Sequence, residues 1–418
     1  MKKYIPKKLL DLYHLWFAVW GAHVYSNPSA SLFVVGVTGT KGKSTTSELV
    51  RTMLEGAGHK VALASTIHFR IGDDIEPNLF KMTMPGRAYL QRFMRRALDA
   101  QCTHVVLEMT SEGAKQFRHK GIELDALIFT NLQPEHLESH GSMEAYGEAK
   151  LEIARGLEAS PKRPRYMVAN IDDTYGPRFL ETKVEARVPF SLQDAEPYTV
   201  DDTSVRFVYK NNELFTIPLP GLFNLRNILA ALALGEAMGI DLKLIQKSLG
   251  RIQPVLGRAE RVEEGQPFAV VVDYAHTPDS LKALFETYKS KRMIVVMGST
   301  GGGRDQWKRP EMGRIADTYC NLIFLTNEDP YDEDPDEIID DIAVGITKQT
   351  PRIVLNRRGA VAQAIQEAKP GDVVLLTGKG TDPYIMGPHG TKEPWSDKKV
   401  AQEELRKLLS TADRPSQK

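Results

Sequence analysis

The sequence predicts an α/β protein with a mostly parallel, P-loop-type sheet in a central domain and a second, Rossmann-like α/β domain at the C-terminal end. From residue 33, short β-branched runs alternate with helical patterns, which is the rhythm of parallel strands joined by helices. The glycine- and lysine-rich turn GVTGTKGKSTT, residues 36–46, directly follows the first apolar run. A second strand–helix series starts after residues 254–257, whose proline and glycine predict a hinge.

The predicted elements follow this order along the chain. The first series has strands at 33–37, 60–65, 104–108, 126–131 and 166–170, with helices near 43–57, 86–101 and 143–159. A β-hairpin is predicted over 205–217, followed by a helix near 224–238 that Asn224 opens as its N-cap. The second series has strands at 269–273, 293–298, 322–326, 352–355 and 373–377, with helices near 278–290, 310–318, 335–347, 358–368 and 396–409.

The chain length and these patterns predict the domain organisation. A chain of 418 residues suits two or three domains, each with a core of its own. The predicted divisions are an apolar helix segment at 1–30, a central domain at 31–256, a C-terminal domain at 257–410 and a disordered tail at 411–418.

Bulk composition excludes several classes of protein. The formal net charge is zero, so no overall field attracts nucleic acid, and we expect no nucleic-acid partner. Cys102 and Cys320 lie far apart without a CxxC pattern, which argues against a cysteine zinc site and a structural disulfide. A reducing, cytoplasmic setting and a monomer are the expectation. No segment reaches the roughly 18 uninterrupted apolar residues of a membrane-spanning helix.

The apolar, aromatic stretch at residues 9–20 follows four lysines, at positions 2, 3, 7 and 8. Asp11 and His14 interrupt it and no small-x-small cleavage pattern follows, so a signal peptide is not expected. Two hypotheses stay open: a helix packed on the first domain, or an interfacial helix that makes a peripheral contact with the inner face of a membrane.

The turn at 36–46 has the composition of a phosphate-binding loop. Glycines let backbone N–H groups turn toward a polyphosphate, Lys43 supplies a positive charge, and the Ser44 hydroxyl can bind Mg²⁺. Val37 stands where the strict G-x-x-x-x-G-K-[ST] pattern has its first glycine, so the generic motif is imperfect. The alternative is a solvated turn without a ligand.

The string TGTKGKSTT, residues 38–46, is far more specific, and it resembles the Mur ligase family, which also includes folylpolyglutamate and cyanophycin synthetases. The resemblance implies the family's central and C-terminal domains, and joining of an amino acid to a carboxylate through an acyl phosphate, with ATP and Mg²⁺. It implies these contacts to the nucleotide: Thr38, Gly39, Thr40, Lys41, Gly42, Lys43, Ser44 and Thr45.

Glu108 ends a predicted strand, and His136 follows another on the edge where the loop opens, so the two can converge on a hard dication. Taken alone, either residue is equally a solvated surface group, and Lys150 is an exposed helix lysine. The strings EMTSE and FTNLQPEHLESHGSMEAYGEAK resemble the Mur ligases that extend the muramoyl dipeptide. That resemblance implies that CO₂ converts Lys150 to a carbamate. It also implies two overlapping sets of residues. The catalytic residues are Lys43, Glu108, His136 and Lys150, and the metal ligands are Ser44, Glu108, His136 and Lys150.

Further strings carry the resemblance to about residue 409: TMPG, PGLFNLRNILAA, GRAER, VVDYAHTPD, GSTGGGRD and GKGTD. They imply further nucleotide contacts at Asn224, Asn227, Arg258, Asp273 and His276. They also imply substrate contacts at Thr83, Thr110, Ser111, Arg118, Arg304, Asn327, Asp329, Pro330, Gly378 and Asp382. Glu112 replaces the histidine of the family's S-S-H string, and this anion puts contacts to an acidic substrate in question.

The substrates are only partly determined by the sequence. Tyr331 replaces the arginine that would bind the distal carboxylate of diaminopimelate, and the surrounding acids favour a cationic side chain such as lysine or ornithine. The segment before the loop is too short for the usual UDP-binding domain, so the expected acceptor is a muramoyl peptide carried on UDP or on a lipid. The alternatives are a folylpolyglutamate- or cyanophycin-type ligase and a scaffold protein without catalysis.

Overall fold

The computed structural model describes residues 7–86, 88–135, 137–210 and 213–412. The chain forms two compact units. The first contains the chain up to Val200 and Ser204–Gln253, and the second contains Asp201–Thr203 and the chain from Pro254 onward. Each unit has its own sheet.

The first unit alternates strands and helices. Its elements are α1 (Lys7–Val24), β1 (Phe33–Thr38), α2 (Lys43–Gly56), β2 (Val61–Ala64), β3 (His68–Ile71), β4 (Asp74–Pro77), α3 (Tyr89–Asp99), β5 (His104–Glu108), α4 (Ser111–Lys115), β6 (Ala126–Phe129), α5 (Leu137–His140), α6 (Met143–Glu158), β7 (Tyr166–Asn170), α7 (Gly176–Leu180), β8 (Ala186–Phe190), β9 (Tyr198–Val200), β10 (Val205–Tyr209), β11 (Glu213–Ile217), α8 (Leu222–Ala237) and α9 (Leu242–Leu249).

The main sheet of the first unit has the order β4-β3-β2-β5-β1-β6-β7-β8, and only the β2–β3 and β3–β4 pairs are antiparallel. Both faces are covered, which explains why its inner strands are apolar throughout. Val35 of β1 packs in one core with Leu229 of α8, and its neighbour Val34 packs in the other core with Phe93 of α3. A separate antiparallel sheet contains β11, β10 and β9.

The second unit repeats the strand–helix alternation. Its elements are β12 (Glu260–Arg261), β13 (Ala269–Val272), α10 (Pro278–Tyr288), β14 (Met293–Met297), α11 (Lys308–Tyr319), β15 (Leu322–Leu325), α12 (Pro335–Ala343), β16 (Arg352–Ile353), α13 (Arg357–Gln366), β17 (Val373–Leu376), β18 (Tyr384–Met386), β19 (Lys392–Pro394) and α14 (Asp397–Ala412).

The sheet order in the second unit is β12-β13-β17-β14-β15-β16, in which only β12 runs antiparallel to its neighbour. The loops after β13, β17, β14 and β15 therefore leave one edge of the sheet, because parallel strands end on the same side. This edge is where ligands bind in open α/β sheets.

The predicted fold class is confirmed, but several details differ from the sequence prediction. The strands that were not predicted are β3, β4, β8, β9, β12, β18 and β19. Strand β4 has only exposed residues, so it lacks an apolar signature. The prediction that Asn224 opens its helix is wrong: α8 begins at Leu222 after Gly221, and Asn224 lies buried inside the first turn. The predicted tail from residue 411 overlaps the end of α14, and residues 413–418 lie outside the described chain.

Among the described residues, no helix is long and apolar enough to cross a membrane. Helix α1 belongs to the first unit, where Ala22 is buried.

Candidate functional site

The loop between β1 and α2 depends on two glycines. Gly42 has φ +82°, and a Cβ there would lie 2.1 Å from Oδ1 of Asn227. A Cβ on Gly39 would lie 1.9 Å from Oγ1 of Thr130. Both positions therefore need glycine, because the backbone approaches neighbouring side chains more closely than any Cβ allows. The loop opens onto the N-terminus of α2, where the backbone N–H groups of the first turn favour an anion.

The Lys43 side chain folds back over this loop. Its Nζ donates to the carbonyl oxygens of Gly39 and Thr40, each at 3.0 Å. Ser44 and Thr45 follow in the buried first turn of α2. The Lys43 amine thus lies over the loop, and both hydroxyl residues stand in the first turn of the helix that follows it.

The segment after β6 holds the loop in place. The Thr40 backbone N–H donates to the Asn131 carbonyl oxygen at 2.8 Å, and the Lys41 N–H donates to Asn131 Oδ1 at 2.9 Å. Thr130 Oγ1 donates to the Lys41 carbonyl oxygen at 2.7 Å. The site prediction did not include Thr130 and Asn131, although both belong to the FTNL string, and strand order brings β6 next to β1.

Lys150 on α6 reaches the same loop from the other side. Its Nζ donates to the Gly39 carbonyl oxygen at 2.8 Å and lies 4.8 Å from the centre of the Tyr146 ring. Burial lowers the pKa of Lys150 well below its ordinary value, and the nearby Lys43 charge acts in the same direction. The buried Lys150 amine is therefore held toward its neutral form, which is the form that can act as a nucleophile.

Glu108 ends β5, in register with Val37 of β1. The carboxylate is buried and accepts the backbone N–H of Thr66 at 3.1 Å and the Thr66 hydroxyl at 2.8 Å. The Thr66 hydroxyl also lies 2.8 Å from that of Thr83, one of the predicted substrate contacts. The sheet thus places Glu108 beside the strand that leads into the loop, with Thr83 next to its partner.

His136, a predicted metal ligand and catalytic residue, lies outside the described residues. Its neighbour Glu135 is buried and forms an ion pair with Lys41 at 3.0 Å. Within the described ranges, no group of three or more His, Cys, Asp or Glu side chains could hold a metal ion.

A chain of amide side chains connects α8 to the loop. Asn227 Oδ1 accepts the Thr46 hydroxyl at 3.3 Å, and Asn227 Nδ2 donates to Asn224 Oδ1 at 3.3 Å. The Asn224 side chain in turn donates to the Pro220 carbonyl oxygen at 2.8 Å. Asn227 thus lies against the loop, and Asn224 fixes the Asn227 amide.

The predicted substrate contacts of α4 lie near the end of β5. The Thr110 hydroxyl caps α4 by accepting the Gly113 N–H at 3.1 Å, and Ser111 is buried. Arg118 donates to the carbonyl oxygen of Met84 and to the Gln116 side chain, and burial lowers its pKa. Arg118 is thereby tied to the segment that contains Thr83.

Glu112, the departure from the family pattern, has a partner of its own. Its carboxylate lies 3.1 Å from Nε2 of His140 and accepts the Ser139 hydroxyl at 2.5 Å. The His140 imidazole, followed by the Ser139 hydroxyl and the Lys115 charge, lowers the pKa of Glu112 to about 2. This anion is therefore stabilised locally.

In the second unit, Arg258, Asp273 and His276 lie together at the end of β13. Asp273 accepts the backbone N–H groups of Ala259 at 2.6 Å and Ala275 at 2.7 Å. The Arg258 guanidinium lies 4.3 Å from the centre of the Tyr274 ring, and His276 Nδ1 lies 2.7 Å from the Tyr274 carbonyl oxygen. These contacts group the three predicted nucleotide contacts of this unit.

The loops after β15 and β17 meet around a buried lysine. Lys379 Nζ donates to Asp329 Oδ1 and to the Tyr384 carbonyl oxygen, each at 2.7 Å, with Asp382 Oδ2 at 3.5 Å. The sequence prediction included Asp329 and Asp382 but not Lys379, although Lys379 is the central letter of GKG. Lys379 compensates their charge, so this acidic cluster is not a cation site by itself.

Glu328 is another residue that the prediction missed. It accepts the Thr300 hydroxyl at 3.0 Å, and a Cβ on Gly378 would lie 2.1 Å from its Oε2. Burial raises its pKa.

Asn327 donates its backbone N–H to the Leu355 carbonyl oxygen at 3.3 Å, and Pro330 is buried, so both predicted substrate contacts are fixed at this edge of the sheet.

Tyr331, which replaces the family's arginine, lies beside another arginine. The Arg304 guanidinium is 5.6 Å from the centre of the Tyr331 ring. Nearby Glu333 forms an ion pair with buried Arg309 at 2.7 Å. The Arg304 guanidinium is therefore present next to Tyr331. The Glu333 carboxylate, one of the acids near Tyr331 in the sequence, is already neutralised by Arg309.

The two units define an α/β protein with a glycine-rich loop between β1 and α2 and a second, mostly parallel sheet whose loops gather polar residues at one edge. The family model described as Mur ligase middle domain matches residues 37–235, and that described as Mur ligase, glutamate ligase domain matches residues 257–380. The UDP-N-acetylmuramoyl-L-alanyl-D-glutamate--2,6-diaminopimelate ligase of Syntrophomonas wolfei subsp. wolfei is 36% identical over 403 residues, covering 93% of this chain and 81% of that relative. This chain therefore belongs to the Mur ligase family, which confirms the resemblance predicted from its motifs.

Solved structures agree with this assignment. A structure of a ligase with the same printed name, UDP-N-acetylmuramoyl-L-alanyl-D-glutamate--2,6-diaminopimelate ligase, is 26% identical with a TM-score of 0.64, covering 95% of this chain and 83% of that chain. The Mycobacterium tuberculosis folylpolyglutamate synthase, complexed with ADP and AMPPCP, has a TM-score of 0.70 at 15% identity, covering 96% of each chain. The latter likeness shows the shared fold alone.

Proposed function

We propose that this protein is an ATP- and Mg²⁺-dependent, ADP-forming ligase that adds an amino acid to the carboxylate of a muramoyl peptide. The observation that carries the proposal is the arrangement of Lys43 and buried Lys150 on the single carbonyl oxygen of Gly39, within a chain of the Mur ligase family. The relatives' printed names support the choice of acceptor and of reaction.

The loop and Lys43 have the chemistry for the first step. Backbone N–H groups at the start of α2 bind the phosphates, and the Lys43 charge stabilises the γ-phosphate as negative charge shifts during transfer. The acceptor carboxylate attacks the γ-phosphorus, the bond to ADP breaks, and an acyl phosphate forms. The amine of the incoming amino acid then attacks the acyl carbon, phosphate leaves, and the amine loses a proton.

The residues present are compatible with Mg²⁺ as the metal. Ser44, Glu108 and a carbamate on Lys150 would supply hard oxygen ligands, with His136 as the imidazole ligand of a second ion. Bound there, Mg²⁺ would neutralise phosphate charge. The depressed pKa of Lys150 supports the carbamate, because only a neutral amine adds to CO₂, and the product is an anion that would reverse the charge at this position.

The remaining predicted residues divide between nucleotide and substrates. Asn224, Asn227, Arg258, Asp273 and His276 are proposed for the nucleotide. The acceptor and amino acid are proposed to contact Thr83, Thr110, Ser111, Arg118, Arg304, Asn327, Asp329, Pro330, Gly378 and Asp382. We propose that the protein acts in the cytoplasm and as a monomer. The two buried free cysteines support the cytoplasmic location because they suit a reducing compartment.

The incoming substrate is proposed to be a diamino acid. Lysine, ornithine and diaminopimelate share a distal amine, and diaminopimelate adds a distal carboxylate. Tyr331 favours lysine or ornithine because it cannot form the bidentate ion pair that an arginine forms with that carboxylate. Exchanging Tyr331→Arg should therefore raise kcat/KM for diaminopimelate relative to lysine, by about tenfold for each 1.4 kcal/mol of added binding.

The test is ADP formation by purified protein with Mg²⁺, muramoyl dipeptide on UDP or on a lipid carrier, and each diamino acid in turn. The proposal predicts ADP formation that needs both acceptor and amino acid, and that Lys43→Ala abolishes. Equal ADP formation without acceptor would contradict it. Activity with a folate or an aspartate polymer in place of the muramoyl peptide would support the rival ligase type, and no turnover with any acceptor would support a scaffold.

A further inference from the structure

Helix α1 presents an apolar face to solvent. We call this the aromatic face: Leu9, Leu12, Tyr13, Trp16 and Trp20, which are between 40% and 63% exposed. These residues recur at helical spacing, so they lie along one side of the helix. Apolar patches on a soluble protein rarely persist without a partner, so this face requires an explanation.

The opposite side of α1 fixes this orientation. It packs on the first unit through small residues: a Cβ on Gly21 would lie 2.4 Å from Cβ of Ala88, and a Cβ on Gly121 would lie 2.9 Å from Cβ of Ala22. Only a helix side without bulk can approach this closely, so α1 cannot rotate its large rings inward. The aromatic face is therefore held outward by the packing of the folded unit.

The rings on this face are also organised among themselves. Trp16 and Trp20 stack with centroids 5.4 Å apart, and Tyr13 contacts Phe17 at 4.7 Å. Tryptophan and tyrosine combine an apolar ring with a polar N–H or O–H group, and they are enriched where a membrane meets water. Their concentration on an exposed helix side suits the headgroup region better than bulk water.

A second exposed apolar segment belongs to the same unit. Leu79, Phe80 and Met82 are between 43% and 53% exposed, and the Phe80 ring lies 5.0 Å from the ring of Tyr89. Tyr89 follows Ala88, the residue against which Gly21 packs. The segment also leads directly into Thr83, so apolar surface extends from α1 toward a proposed substrate contact.

The sequence that leads into α1 is basic. Lysines occupy positions 2, 3, 7 and 8, and Asp11 is the single acidic residue before Glu48 in the sequence. On neighbouring α3, exposed Arg92 lies 5.5 Å from the Tyr89 ring centre. Basic residues beside an amphipathic helix bind anionic lipid headgroups, with affinity that falls as salt screens the attraction.

We propose that α1 lies in the plane of an anionic membrane surface, with the aromatic face inserted among the lipid headgroups, and that the basic sequence leading into α1 adds attraction to their charges. The helix rests on the bilayer and does not cross it. This brings the first unit to the surface where a lipid-carried acceptor would be found. The inference does not depend on the proposed ligase activity, because binding to lipid needs neither ATP nor acceptor.

The experiment is flotation of the full chain with vesicles of phosphatidylcholine alone, and with vesicles in which a quarter of the lipid is phosphatidylglycerol. The wild-type chain should float with the anionic vesicles, and high salt should weaken this. The variant Trp16→Glu/Trp20→Glu should lower the partition coefficient by about tenfold or more, because it removes apolar insertion and adds repulsion. The matched control Leu214→Glu/Val344→Glu alters residues 60% and 73% exposed elsewhere and should bind as the wild type does.

Four outcomes would overturn the proposal: no flotation of the wild type, equal binding to uncharged vesicles, equal loss in the control, or unchanged binding of the tryptophan variant. A concentration-dependent dimer that this variant dissolves, without vesicle binding, would assign the face to a second copy of the chain. Far-ultraviolet circular dichroism checks folding. The milder Trp16→Gln/Trp20→Gln variant should lose binding in the same direction if the glutamate variant fails to fold.

Discussion

The side-chain nitrogens of Lys43 and Lys150 donate to the same carbonyl oxygen, that of Gly39, at 3.0 and 2.8 Å. Two full positive charges so close together in a buried setting repel each other, and the more buried amine gives up its proton first. Lys150 is that amine, since burial and the Lys43 charge both lower its pKa. The loop thus holds two lysine amines on one carbonyl oxygen, and burial and charge favour the neutral form of Lys150.

The first prediction concerns Lys150. Replacing it by alanine should lower kcat at least about a hundredfold, because the proposed carbamate can no longer form. Formate or acetate should restore part of the rate by supplying a carboxylate in the vacated space. The measurement is ADP formation with and without the added acid, together with carbon NMR of the wild type under isotopically labelled CO₂.

Lys150→Arg is the matched control, because it keeps a long nitrogen-bearing side chain but cannot form a carbamate, and it should be inactive without rescue. If NMR shows that Lys150 is unmodified and neither acid restores activity to the alanine variant, the carbamate proposal is wrong.

The second prediction compares two left-handed glycines. Gly58 has φ +90° with no atom within 4 Å of a built Cβ, so Gly58→Ala should lower the free energy of unfolding by only about 1–2 kcal/mol of backbone strain. Gly42→Ala has similar strain, but its Cβ also meets Asn227 at 2.1 Å and should displace the phosphate loop. Isothermal titration with ADP and Mg²⁺ should show an affinity loss for Gly42→Ala alone. Equal affinities in the two variants would argue against a nucleotide role for the loop.

The third prediction is a pH dependence at Glu112. Its folded-state pKa of about 2 lies below the ordinary value of 4.5, so its ionised form stabilises the fold above about pH 4.5. That stabilisation is lost as pH falls toward 2, where the carboxyl group becomes protonated in both states. Glu112→Gln should therefore unfold more easily than the wild type at neutral pH, and this difference should shrink in acid. Urea titrations across this range measure it, and a difference that grows in acid would contradict the assignment.

The fourth prediction tests a buried ion pair in the second unit. Arg357 donates to Asp397 at 2.8 and 2.7 Å, and both side chains are almost fully buried. Arg357→Met should lower the free energy of unfolding by about 3–5 kcal/mol, because it leaves a buried carboxylate unpaired. Arg357→Met/Asp397→Leu should recover part of that loss. The adjacent, exposed Arg358–Glu403 pair is the control, and Arg358→Met should change stability by less than about 1 kcal/mol.

Much of this arrangement could be predicted because it is encoded locally. The β1–loop–α2 unit follows from apolar residues, glycines and hydroxyls that are adjacent in the chain, and Lys43 and Ser44 are where the motif implied. Glu108 could be placed at the edge of the sheet because it is the last residue of a strand that the sequence predicts. The inner strands were recognisable because both faces of the sheet are buried, which makes them apolar throughout.

Other features depend on contacts that the sequence does not display. Strand β4 is fully exposed, so it has no apolar pattern. Lys150 looks like a surface helix lysine until α6 packs against the loop, and its buried state is a tertiary property. Lys379 and Glu328 were missed because their contacts form only when the loops after β15 and β17 come together in the folded unit. Asn224 was predicted as an N-cap from residue preference, but α8 begins at Leu222 after Gly221, and the Asn224 side chain contacts Asn227.

The most direct test of the central claim follows oxygen from the acceptor carboxylate. Muramoyl dipeptide with isotopically labelled carboxylate oxygens is turned over with ATP, Mg²⁺ and a diamino acid, and the products are separated by mass spectrometry. The account predicts ADP and one labelled oxygen in each orthophosphate released, because the carboxylate attacks the γ-phosphorus. Unlabelled orthophosphate, or label recovered in AMP, would contradict an acyl phosphate formed at the Lys43 loop.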